Sequence, residues 1–434
     1  MEKSTENKSQ PINEPIKDRE GMSVKKVVKE GYKKTKIGWI PEDWRYCPIK
    51  SFAKVSTGST PKTSENENYG DEYLFASPAD LGITKDIIDT NKKLSKIGFS
   101  KSRNFPKGSV LFTCIGSTIG KTGIATVDLT SNQQINAIQP SNKHDNEYLY
   151  YILSHISSKI KILAGEQAVP IINKSEFESQ FVTLPPLPEQ RKIAEILSTW
   201  DKAIEHTQKL IAQLKLRRKG LMQQLLSGKT RLKEFSGEWK EVQLKDIANR
   251  LTTKNGELND NVVTISAQRG FVKQEDFFKK RVASDTLSGY YLIKRGQFAY
   301  NKSYSNGYPM GAFKRLDNLD KAVVTTLYIC FNLKNNVDSD FLVNFFEAGL
   351  MVRNLMKIAQ EGGRAHGLLN IALNDFFSLK MTIPEIEEQQ AIAKVLTTAD
   401  NEIKKQEAYL AQLQAQKKGL MQKLLTGEVR VKVN

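Results

Sequence analysis

Cysteine, histidine and long apolar runs are all scarce in this chain of 434 residues. The three cysteines, Cys47, Cys114 and Cys330, are an odd number lying 67 and 216 residues apart. With neither a CxxC pair nor zinc-ligand spacing, they exclude a disulfide framework and a structural metal site and predict reduced thiols. His144, His155, His206 and His366 are scattered, without an HExxH pair or a nucleophile elbow, so hydrolytic chemistry has no cast. No stretch approaches the roughly 20 apolar residues needed to span a membrane. The N-terminal MEKSTENKSQPINEPIKDRE alternates charges where a secretory signal would carry an apolar core. A cytoplasmic protein is expected, with no membrane partner, no metal and no cofactor.

What the chain has in excess is base: 65 Lys and Arg against 48 Asp and Glu, a formal charge of +17. With 39% hydrophobic and 26% charged residues it reads as globular, with enough chain for about three domains. A basic excess without lipidation or membrane-surface signals points to nucleic acid. The charge is uneven: +4 over residues 1–36, +1 over 37–188, +6 over 189–232, +3 over 233–387 and +3 over 388–434. The two long segments are nearly neutral, so a DNA-binding face on either requires the two signs to be segregated.

The segment EQRKIAEILSTWDKAIEHTQKLIAQLKLRRKGLMQQLLSGKTRL from Glu189 returns 199 residues later, at Glu388, without a gap and with about 20 of 44 positions identical. The flanks repeat more faintly. Trp44 and Ala53 match Trp239 and Ala248, Lys107-Gly108 matches Arg295-Gly296, and Glu176-Phe177 matches Asp375-Phe376.

Each repeat reads as one long helix. Apolar residues at Ile193, Leu197, Trp200, Ile204, Ile211, Leu214, Leu221 and Leu225 follow heptad spacing. The second copy keeps it at Ile392, Leu396, Ala399, Ile403, Leu410, Leu413, Leu420 and Leu424. Both seams are interrupted at the same two places, by Thr207 and Arg218 and by Gln406 and Lys417, which predicts helices packed antiparallel in a fixed register. Prolines and acidic residues precede each seam, and Gly228 or Gly427 ends it. Gly220 and Gly419 sit inside the helices, where glycine costs roughly 1 kcal/mol relative to alanine, so a close helix approach or a kink is expected there.

The segments 37–188 and 233–387 mix strand-like runs (Val110 to Ile115, Ile124 to Val127, Val262 to Ile265, Val323 to Phe331) with helical ones (Glu147 to Ile162, Phe341 to Ile358). The fold class is α+β, two mixed α/β domains separated by two long antiparallel helices in a pseudo-two-fold internal repeat. In order, the chain reads as a disordered polar lead (1–36), a domain (37–188), a spacer helix (189–232), a second domain (233–387), and a second helix with a tail (388–434).

At this level of detail the chain resembles the specificity (S) subunits of type I DNA restriction-modification enzymes. The resemblance rests on LPPLPEQRKIAEIL from Leu184, KGLMQQLLSG from Lys219, TGSTP from Thr57, GSTIGKTGI from Gly116 and GWIPEDW from Gly38, and it covers residue 38 to the end. The second helix start departs from the pattern, with one proline in IPEIEEQQ at Ile383 where the first has three. The resemblance implies two target recognition domains reading a bipartite, asymmetric duplex DNA target. It also implies helices that act as a ruler and dock two methyltransferase (M) subunits, with restriction motor-nuclease (R) subunits reached through that complex. The chain itself would be non-catalytic, and adenine methylation and cleavage would belong to its partners.

Candidate DNA-contacting residues follow from side-chain type. The stretch YNKSYSNGYP from Tyr300 offers Asn301, Lys302, Ser303, Tyr304, Asn306 and Tyr308, able to bond adenine edges or phosphates and to stack. In EGGRAHG from Glu361, Arg364 and His366 sit among glycines that permit close approach. The first-domain counterparts would be Lys62, Thr63, Gln167 and Lys174, with Lys101, Arg103 and Lys107 as phosphate contacts.

Neither a nucleotide-binding nor a nuclease or methyltransferase motif is complete. GSTIGKT, Gly116 to Thr122, is one residue short of a phosphate loop between its glycines. Glu238-Trp239-Lys240 has a nuclease-like Glu-x-Lys form without a suitable upstream Asp, and no methyltransferase tetrad or glycine-rich cofactor loop is present. The remaining alternative is a helical scaffold or adaptor that holds proteins without reading DNA.

Overall fold

The computed structural model describes residues 29–165, 168–278, 283–284, 286–359 and 369–433. It divides into two compact units, one comprising residues up to Glu205 together with those from Ala411 onward, the other His206–Leu410. Both long helices, Leu187–Leu225 and Ile386–Thr426, are therefore shared out between the units.

In the first unit a five-stranded sheet runs in the order Val55–Thr57, Ile135–Ile138, Val110–Thr113, Thr122–Ala125, Asp86–Ile87. All its pairings are antiparallel except the last. Side chains alternate across a strand, and here both faces are covered. Val110 and Phe112 pack with Tyr148, Ile152 and Phe177 on the side of the helix Asn146–Leu163, while Leu111, Ile135 and Ala137 pack with Phe105 and Leu129 of a second, four-stranded sheet. Burial on both faces explains why VLFTCI reads as a continuous apolar run.

The second unit repeats the plan on Ala248–Leu251, Ile329–Leu333, Phe298–Asn301 and Ala312–Arg315, all antiparallel. Phe298, Tyr300 and Phe331 face the helix Ser339–Glu347, and Ala299 and Cys330 face the opposite core with Val263, Phe271 and Val324. The helix side is an aromatic stack, with Phe313 and Phe346 centroids 4.2 Å apart and Tyr300 and Phe376 5.0 Å apart.

Several expectations are corrected. The apolar run 323–331 is two strands, Lys321–Val324 and Ile329–Leu333, broken by a turn in which Tyr328 N–H donates to Thr325 O. The helical run 341–358 is two helices, Ser339–Glu347 and Val352–Ile358, because Gly349 takes φ +73°, outside the helical region. The polar lead does not stay unstructured to residue 36, since Tyr32–Thr35 pairs antiparallel with Gly38–Pro41 and buries Ile40. Residues 1–28 lie outside the described residues. At Gly220 and Gly419 a Cβ would meet nothing within 4 Å, so no close helix approach within the chain accounts for them.

Candidate nucleic-acid interface

Each sandwich is fastened to the long helices by one network that recurs in both units. At the start of the first long helix, buried Glu189 accepts from Trp44 Nε1 at 2.9 Å and from Arg430 at 2.6 and 3.1 Å. In the second unit, buried Glu388 accepts from Arg231 at 2.6 Å twice and from Trp239 Nε1 at 3.3 Å. The neighbouring glutamines also match. Gln190 Oε1 accepts from the backbone N–H of Asp145, and Gln389 Oε1 from that of Asp338, the aspartates that cap Asn146–Leu163 and Ser339–Glu347. These equivalences give the shared Glu-Gln pair, Glu189-Gln190 and Glu388-Gln389, its physical meaning, a buried carboxylate and an amide that orient a sandwich on its helix.

The interruptions of the two seams are part of the same plan. Lys417 pairs with Asp201, which also accepts from Tyr151 Oη at 2.5 Å. Arg218 pairs with Asp400 at 2.8 Å and donates to Asn344 at 2.8 Å. Tyr151 and Asn344 are each the sixth residue after their capping aspartate. Within each unit the helices run antiparallel in the register these pairs set. Burial, reinforced by the Asp201 carboxylate, drives the Tyr151 phenol well above its ordinary pKa.

Of the seam residues, Ile193, Leu197, Ile211, Leu225, Ile392, Leu396, Ile403, Leu413 and Leu424 are buried inside the chain, which leaves them no free surface for a partner. Trp200, Ile204, Leu214, Leu221, Leu410 and Leu420 are half-buried. The heptad count missed Leu216 and Tyr409, both exposed on the helices.

Antiparallel pairing places the end of Val55–Thr57, the start of Ile135–Ile138 and the end of Val110–Thr113 at one end of the first unit's sheet. A chain of contacts runs along that end. Arg103 donates to Thr57 O at 2.5 Å and its backbone N–H to Ser59 Oγ at 2.7 Å. Thr60 donates to Gln133 at 2.6 Å, Gln134 O accepts from the backbone of Cys114, Pro170 O from that of Gly116, and Lys161 Nζ donates to Ser117 O at 3.1 Å. Close packing is required, since a Cβ on Gly58 would lie 2.2 Å from Asn132 O.

This rim unites several expected residues and separates others. Lys62 and Lys101 meet through Glu65, with Lys101 also on Glu67, and Thr63 is exposed beside them. The Lys101 ammonium lowers the Glu65 pKa. Such exposed pairs are weakly held, so a phosphate can compete for the lysines. Lys174 opens the short helix Lys174–Glu178, 3.9 Å from Glu178. Lys107 stands at the opposite end of Val110–Thr113, where its N–H binds Asp128, so it does not belong to the same rim. Gln167, Arg364 and His366 lie outside the described residues. Missed were Thr60, Asn132, Gln133, Gln134 and Lys161, although the polar run Asn132-Gln133-Gln134 before an apolar strand was a legible signal.

The same sheet end in the second unit carries the loop 302–311 between Phe298–Asn301 and Ala312–Arg315. Lys302 O accepts from Leu369 N–H, and Asn306 O from Gln268 at 3.0 Å. Asn301 Oδ1 is used within the loop, accepting from Ser303 N–H, and Tyr308 Oη donates to Glu347 at 2.7 Å. Burial and that carboxylate raise the Tyr308 phenol. Tyr304 and Asn306 remain exposed and free to reach outward, and Lys302 and Ser303 are half-buried.

The enzyme-like motifs have other uses. GSTIGKT connects two antiparallel strands and leads into Thr122–Ala125 rather than opening a helix as a phosphate loop does, and Lys121 Nζ binds Pro78 O at 3.3 Å. Lys240 pairs with Glu385 and Trp239 with Glu388, which gives that triplet a structural role. Burial pushes the Cys114 and Cys330 thiols up to about 12, so neither is a thiolate. Among the described residues no helix is long and apolar enough to cross a membrane.

The fold is thus a duplicated α+β module, each copy presenting a polar loop rim and clamped to a long helix. A family model described as the type I restriction modification DNA specificity domain matches residues 41–216 and again 236–414. The chain belongs to this family, the specificity subunits of type I restriction-modification enzymes. It is 26% identical over 422 residues to the type I restriction enzyme MjaVIII specificity subunit of Methanocaldococcus jannaschii, covering 91% of this chain and 94% of that one. It is 29% identical over 178 residues to the HindI specificity subunit of Haemophilus influenzae, covering 38% of each. Among solved structures, the S subunit from M. genitalium superposes with a TM-score of 0.52 at 15% identity, over 88% of this chain and 96% of that one. A chain from a study of type I R-M complex assembly reaches 0.57 at 14%, over 90% and 99%. At these identities the structures speak for the fold.

Proposed function

We propose that each unit reads one half of a bipartite, asymmetric duplex DNA target through the rim at its sheet end. The carrying observation is that equivalent sheet ends on one repeated frame bear unlike loops: the glycine- and threonine-containing 114–121 between Val110–Thr113 and Thr122–Ala125 in one unit, and the longer, tyrosine-rich 302–311 between Phe298–Asn301 and Ala312–Arg315 in the other. A shared frame with different loops is what a split, asymmetric target requires. In this reading the chain works in the cytoplasm without catalysis of its own. Two M subunits dock on its helices and supply adenine methylation, and R subunits joined through that complex supply cleavage.

The helices also set the gap between the half-sites. A helix of 39 residues is about 58 Å long at 1.5 Å per residue. Readers on one face of B-DNA need centres about 34–36 Å apart or a multiple of that. Inserting four residues near Ala212 therefore shifts the preferred gap, and an unchanged gap contradicts the ruler role. Preferential retention of a specific duplex over a scrambled one by the chain with its M subunits tests DNA reading, whereas equal retention leaves a helical scaffold.

A further inference from the structure

We infer that the first unit reads thymine 5-methyl groups with a cluster of apolar side chains on its rim, an inference that rests on the DNA-reading role proposed above. Within ten residues, Ile162, Leu163, Val169 and Ile171 are 78%, 61%, 55% and 47% exposed. Four large aliphatic side chains left exposed along one short stretch form a candidate contact surface. The rest of the helix Asn146–Leu163 behaves differently, with Tyr148, Leu149, Ile152, Leu153 and Ile160 all buried.

The cluster borders the rim at two points. Lys161, beside Ile162, donates to Ser117 O, and Ile171 bridges Ile115 while Pro170 O accepts from Gly116 N–H. Both points fall on the loop that leaves Val110–Thr113, at the sheet end where Arg103, Thr60 and Gln133 stand. Apolar groups among amides, hydroxyls and a guanidinium suit the major groove, where thymine alone presents a methyl beside hydrogen-bonding edges. A protein-docking surface would not need that polar rim continuous with it.

The test uses the chain with its M subunits on duplexes carrying the target identified by methylation mapping. The first unit's half-site is assigned by exchanging residues 37–188 for a relative's. Each thymine of that half-site is replaced singly by deoxyuridine, which removes only the methyl, and affinity is measured for wild type, Leu163→Ser and Ile171→Ser. For wild type at least one replacement weakens binding about fourfold, the worth of one buried methyl. One of the serine variants binds the two duplexes equally at that position. The inference is overturned by a half-site indifferent to every methyl or lacking thymine on both strands, by variants that keep the full methyl sensitivity, or by variants whose only defect is loss of the M subunits. If no sequence-specific half-site exists at all, the reading on which the inference rests fails with it. A half-site read without methyl sensitivity removes this inference alone.

Discussion

The paired clamps at the helix starts predict unequal costs for equivalent substitutions, Arg231→Ala and Arg430→Ala. Removing one partner of a buried ion pair strands the other charge, at a cost of about 3–5 kcal/mol when burial is complete. Glu388 is 3% exposed and takes both Arg231 bonds at 2.6 Å, while Trp239 Nε1 stands off at 3.3 Å. Arg231 is itself 27% exposed, so water entering its place lowers the cost to about 3 kcal/mol. Glu189 keeps the closer Trp44 bond at 2.9 Å, and Arg430 is 41% exposed and shared with Asp43. Solvent screening there brings the loss down to about 2 kcal/mol. Urea-dependent native-state hydrogen exchange, read by mass spectrometry on peptides from the start of each long helix, resolves the units separately. Arg231→Ala should lower the opening free energy only in the second unit, and Arg430→Ala should lower it less and only in the first. Losses under about 0.5 kcal/mol at both sites, or the reverse ranking, would refute the clamp argument.

Other outcomes follow from single positions. Burial lowers the His144 pKa, and its Nε2 is buried without a partner, so the unfolded chain takes up the proton first as pH falls and stability is lost on acidification through the ordinary histidine range. Exchange protection of Asn146–Leu163 should fall between pH 7.5 and 5.5, and His144→Asn should flatten that component. Gly220→Ala and Gly419→Ala should each stabilise the chain by roughly 1 kcal/mol in thermal unfolding, because the added Cβ meets nothing within 4 Å; destabilisation would contradict the helix geometry. Tyr304→Ala should weaken binding to the specific duplex by about 1–3 kcal/mol and relax one base position, while an equal loss on random DNA would make Tyr304 a backbone contact.

The long helices were legible because their heptad spacing persists over many turns and is written twice. The strands of the sandwich cores were legible where both faces are apolar, as in Val110–Thr113. What the pattern could not resolve were breaks inside apolar runs. Gly349 divides a helical stretch through its positive φ, and the 325–328 turn divides a run whose side chains are apolar on both sides. The clamp partners of Glu189 lie 145 and 241 residues away, so periodicity carries no trace of them. Likewise the rim gathers Thr57, Arg103, Gln133 and Lys161 through strand pairing, and residue type alone drew in Lys107 from the wrong end of a strand.

The central claim is that each unit reads its own half-site. It is tested most directly by genome-wide adenine methylation mapping in cells carrying this chain and its cognate M subunit, with residues 233–387 either intact or exchanged for a relative's. The account predicts a split motif of which one half changes on exchange while the other half and the gap persist. A motif that changes in both halves, or none that depends on this chain, would contradict it.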